Sequence, residues 1–92
     1  MKNKLTKVLM EDFSPVYLKV VDQSHLHAGH YENTTGYGTH FDVTLVSNNF
    51  KEFKKLERHR LIYQSCKPLF AIGIHALSLH VYDLDEWSKE NG

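Results

Sequence analysis

Three stretches of this chain alternate apolar and polar residues, and between the second and third the apolar residues recur at helical spacing instead. That change of period constrains the fold more than any other feature, because a strand buries alternate residues whereas a helix buries every third or fourth. In "VYLKVVDQS" the residues Val16, Leu18 and Val20 share a face, and in "THFDVTLVS" Phe41, Val43 and Leu45 do the same. In "IHALSLHVY" His75, Leu77, Leu79 and Val81 fall on one face, with Ala76, Ser78, His80 and Tyr82 on the other. The first two runs are expected to pair as antiparallel strands, joined by a long loop from Ser24 to His40. Long loops in compact domains are more often functional or mobile than idle.

The intervening segments read as helices. Leu5, Val8, Leu9 and Phe13 mark one face of a first helix that Ser14-Pro15 terminates, since a residue before proline is pushed out of helical geometry. "SNNF" reads as a turn, after which "FKKLERHRLIYQSCK" sets Phe53, Leu56, His59, Ile62 or Tyr63, and Cys66 on one stripe. Pro68 opens a second short helix that stops at Gly73. In "DLDEWSKENG", Asp83 followed three residues later by Glu86 is a capping signature for a last helix whose Trp87 packs back onto the body. The order αββααβα predicts one two-layer α+β domain over residues 1–92, a three-stranded mixed sheet with helices on one face. This is the type II KH arrangement. A KH domain that holds nucleic acid uses a GxxG loop between its paired helices, and "QSCKPLF" stands there instead.

Composition narrows the function classes. A chain of 92 residues with 41% hydrophobic content can bury one core. Eleven basic and eleven acidic residues give a net charge of zero, so any polyanionic partner must use a local patch. One exists: from Lys51 to Lys67 six basic residues face two acidic ones. With Cys66 as the single cysteine no internal disulfide can form, and without a secretory signal or long apolar run a cytoplasmic location away from membranes is expected.

The segments "VVDQSHLHAGH", "THFDVTLVSNNF", "LERHRLIYQ" and "GIHALSLHVYDLDEW" together resemble the BolA family, in order and along nearly the whole chain. One departure is Glu52, where the family often has glycine. The resemblance implies a KH-like core and partnership with a monothiol glutaredoxin. It also implies a role in sharing or transferring 2Fe-2S clusters, as a non-enzymatic adaptor. Some members are described as DNA-binding regulators of stress and morphology genes, which gives the alternative reading.

Four of the seven histidines fall between Ser24 and His40. A 2Fe-2S cluster takes four ligands, usually thiolates, and imidazole can replace thiolate on one iron. With one cysteine this chain cannot hold a conventional cluster alone, so its partner glutaredoxin and glutathione would have to bring sulfur. The resemblance makes His75, in "HAL", the expected ligand from this side. It also assigns His27 to the loop position that holds His or Cys in the family, which makes this chain the histidine-loop type, with His30 as a substitute three residues away. The plain alternative for His75 is a strand-end histidine bonded at the sheet rim. A zinc enzyme finds no support, because neither HExxH nor CxxC occurs. In the basic stretch Lys54, Lys55, Arg58 and Arg60 are the candidates for phosphate contacts or for docking the glutaredoxin, against the plain reading of a solvated helix face. The free chain is expected to be a monomer.

Overall fold

The computed structural model describes residues 1–23 and 40–91. The elements run α1 (Lys2–Phe13), β1 (Tyr17–Asp22), β2 (His40–Val46), a 3-10 turn (Asn48–Phe50), α2 (Lys55–Ser65), α3 (Lys67–Ala71), β3 (Ala76–Tyr82) and α4 (Leu84–Asn91). The strands lie in the order β1-β2-β3, with β1 antiparallel and β3 parallel to β2, a mixed sheet as expected. Register aligns the apolar faces into rows. Leu18 pairs with Leu45 and Leu45 with Val81, while Val20 pairs with Val43 and Val43 with Leu79. Phe41, Val43 and Leu45 on the central strand are fully buried, each contributing about 1.5–3 kcal/mol through removal of apolar surface from water.

Leu5, Leu9 and Phe13 of α1 close over this face together with Ile62 of α2, Leu69 of α3 and Cys66 between those two helices. The first helix ends as the Ser14-Pro15 pair requires. Ser14 leaves the right-handed region at φ 45, and its N–H bonds back to the Met10 carbonyl at 3.1 Å. Its carbonyl end is held by a residue that hydrophobic periodicity does not flag. The buried hydroxyl of Ser47 donates to the Phe13 carbonyl at 2.6 Å and accepts from the Asn49 N–H at 3.1 Å. The same oxygen of Phe13 also accepts from the Asn49 amide at 3.0 Å.

The buried stripe of α2 differs from the expected one. Leu56 is 62% and Phe53 40% exposed, and the inward positions are Arg58, Ile62 and Cys66. The arginine faces inward because its partners are there. Its Nε donates to the Phe53 carbonyl at 2.7 Å, and its guanidinium reaches Glu86 at 2.5 Å and Asp83 at 3.6 Å. Asp83 and Glu86 are themselves the capping pair of α4: the Glu86 N–H donates to Asp83 Oδ1 and the Asp83 N–H to Glu86 Oε1, both at 2.8 Å. One buried guanidinium therefore fixes the start of α4 against α2. Held there, α4 turns Trp87 onto the sheet face opposite α1–α3, stacked on Tyr17 at 5.0 Å and tilted against Tyr82 at 5.4 Å.

Removing this guanidinium would leave two acidic groups partly desolvated. Arg58→Ala is expected to cost about 3 kcal/mol, read by urea unfolding followed through Trp87 fluorescence, and a loss within about 0.5 kcal/mol would overturn the role given to Arg58. The Arg58 hydrogen bond and then the Asp83 N–H hold the Glu86 carboxyl below the ordinary carboxylate range. A carboxyl with a depressed folded pKa adds stability above its unfolded pKa and loses it as pH falls through that value towards the lowered one. Acid should therefore lower the urea midpoint of the native chain more than that of Arg58→Met. Parallel pH profiles for the two proteins would contradict the linkage.

Candidate functional site

Gly73 determines where His75 lies. The chain leaves α3 through Ile72 and Gly73, and Gly73 takes φ 149, a conformation that side chains disfavour. Ile74 then donates its N–H to the Leu69 carbonyl at 3.1 Å and inserts its side chain into the core. With Ile74 inward, His75 is turned out and exposed, one residue before β3 begins at Ala76. It does not share the buried face of Leu77, as alternation alone would have it. The turn at Gly73 and the burial of Ile74 reset the phase.

The same end of the sheet anchors both flanks of segment 24–39. Asp22 pairs with Phe41, the Gln23 N–H donates to the His40 carbonyl at 2.8 Å, and His40 pairs with Ala76. His75 thus stands beside the points where that segment departs and returns. His25, His27 and His30 lie outside the described residues.

Cys66 contributes no ligand to this end. It is fully buried in the core, and burial followed by the nearby Asp12 charge pushes its thiol up to about 11. Thiolate is the form that binds metal, so this sulfur is structural. Among the described residues no group of three or more His, Cys, Asp or Glu side chains gathers to hold a metal ion. Any metal group at His75 therefore needs donors from segment 24–39 or from another molecule.

One pair escaped the sequence reading. Asp42 and His80 lie on the open face of adjacent strands, with His80 Nε2 2.9 Å from Asp42 Oδ1. The contact lacks the alignment of a hydrogen bond, and Asp42 Oδ1 is buried without another partner. Period-two alternation puts both residues on that face, but only the register between β2 and β3 brings them together.

The basic stretch divides in two. Lys54, Lys55 and Arg60 are exposed, and Lys54 begins α2 with its N–H bonded to the Glu57 carboxylate at 3.0 Å. Arg58 is not available to a phosphate or a partner. It is 3% exposed, hydrogen-bonded to Phe53 and Glu86 and ion-paired with Asp83, so the sequence-based assignment of Arg58 to docking is corrected. No helix among the described residues is long and apolar enough to cross a membrane.

The chain is similar to several named proteins. The DNA-binding transcriptional regulator BolA of Vibrio cholerae is 37% identical to it over 95% of this chain and 78% of the relative. The protein of the same name from Escherichia coli is 37% identical over 94% of this chain and 78% of its own length. Among solved structures, BolA1 from Arabidopsis thaliana superposes with a TM-score of 0.84 at 33% identity, covering 94% of each chain. The family model for BolA-like proteins matches residues 9–86, and the chain belongs to the BolA family.

Proposed function

We propose that this protein is a non-enzymatic cytoplasmic adaptor that pairs with a monothiol glutaredoxin and shares a 2Fe-2S cluster with it. His75 is the ligand from the folded body and His27 the ligand from segment 24–39, with His30 as its substitute. The observation that carries the reading is the exposed His75 at the sheet end to which both flanks of that segment are tied. The donor set agrees with it: the one sulfur is locked in the core, so this chain can offer imidazole and must receive thiolate from elsewhere. A neutral imidazole in place of a thiolate changes the net charge around a cluster, and with it the ease of reduction and release.

The test is visible circular dichroism of a cluster-loaded monothiol glutaredoxin with glutathione, titrated with this chain. A new spectrum saturating at one equivalent is expected, and His75→Ala and His27→Ala should each alter or abolish it. An unchanged spectrum on titration, or an identical one with His75→Ala, would overturn the proposal.

A second reading, binding of duplex DNA, is favoured by the names of the two bacterial relatives and by the exposed Lys54, Lys55 and Arg60. Three phosphate contacts imply a log–log dependence of affinity on salt with a slope of about −3. Arg60→Ala and Lys54→Ala should each reduce that slope by about 1. If neither substitution moves the slope, α2 is not the DNA-contacting element.

A further inference from the structure

The outer edge of β3 is unevenly covered. Backbone groups of successive strand residues point to opposite sides. The Tyr82 carbonyl accepts from the Ser47 N–H at 3.0 Å on the β2 side, so Leu77, Leu79 and Val81 present their N–H and C=O groups outward. At the start of the strand that edge is sealed, since the Tyr63 hydroxyl donates to the Leu77 carbonyl at 3.0 Å. Further along, no described residue bonds the outward groups of Leu79 or Val81. Those two residues instead line a cavity of about 260 Å³ with Lys55, His59, His80 and Tyr82. Through Lys55 and Tyr82 it continues into a second cavity of about 450 Å³ under Lys89 and Glu90 of α4.

A strand edge flanked by a helix on each side is the geometry in which an extended peptide adds to a sheet, its main chain supplying affinity and its alternate side chains specificity. The walls carry Lys55 and His59 from α2 and Lys89 from α4. Of the two carboxylates on the wall, Glu86 is engaged by Arg58, which leaves Glu90 to offset Lys55 and Lys89. The groove therefore complements acidic side chains. A phosphate backbone suits it less, because Glu90 faces the path and the free donor–acceptor pairs at Leu79 and Val81 have the two-residue repeat of a strand.

We propose that the edge of β3 at Leu79 and Val81, walled by Lys55 and Lys89, receives an extended acidic segment of a partner protein as a fourth strand. This site is separate from the His75 end and involves no cluster. The probe is an acetylated, amidated heptapeptide of alternating valine and glutamate, titrated into the 15N-labelled chain alone.

Saturable shifts and slowed exchange at the amides of Leu79 and Val81 are expected. K55E and K89E should each weaken binding roughly tenfold while leaving the dispersion of the spectrum intact. A peptide N-methylated at alternate positions should not bind, and because this control alters only the ligand it stands even where a protein variant misfolds. Absence of saturable shifts would overturn the proposal, as would equal binding of a valine–lysine peptide or retained binding after N-methylation. Displacement of the peptide from the same amides by an oligothymidylate at lower concentration would overturn it in favour of nucleic acid.

Discussion

A single guanidinium ties the start of α4 to α2. Arg58 sits where an aliphatic residue would satisfy the α2 stripe, and it is retained there by the capping pair of a helix that begins 26 residues further on. Burying a charge is unfavourable unless its donors are all met. Here the Phe53 carbonyl and the Glu86 carboxylate accept hydrogen bonds from it, Asp83 adds a second negative charge at 3.6 Å, and the Phe50 ring lies 6.0 Å away. Through α4 the interaction also sets Trp87 against Tyr17 and Tyr82, so the open face of the sheet owes its aromatic cover to an ion pair at the end of β3.

Strand alternation, the helix order and the Asp83–Glu86 cap were legible in the sequence, because each follows from residues close together in the chain. The Arg58 network was not. A basic residue within "RHR" looks solvated until its partners are known, and those partners reach it only once β3 has brought α4 alongside α2. The same reason hides the Asp42–His80 contact and the seal of Tyr63 on Leu77, which depend on register between β2 and β3 or on helix position over an edge. Leu56 misled in the other direction. It is apolar and at helical spacing, yet the phase of α2 is fixed by Arg58, Ile62 and Cys66, and Leu56 is left outside.

The histidine site shows a different limit. Periodicity placed His75 on a buried face, and the resemblance to BolA proteins placed it at a ligand position. Those two expectations were in tension, because a ligand to a group held by another protein must be accessible. The turn at Gly73 resolves it: spending the buried position on Ile74 frees the next residue to face outward. Cys66 takes no part at this surface, since it is fully buried in the core.

β3 keeps the two proposed sites apart along one element. His75 precedes its first residue, and the open backbone pairs lie at Leu79 and Val81, four and six residues later. At about 3.3 Å per residue the sites are roughly 13–20 Å apart. That span exceeds a hydrogen bond or a metal–ligand distance several times over, so neither occupant would touch the other's donors. The Tyr63 hydroxyl on Leu77 lies between them and closes the edge, which bounds an added strand on the side towards His75. A partner seated at the histidine end and a peptide laid along the far half of the edge could therefore be held by one chain at once. Any coupling between them would have to run through β3 itself, whose seven residues pair along their full length with the central strand β2.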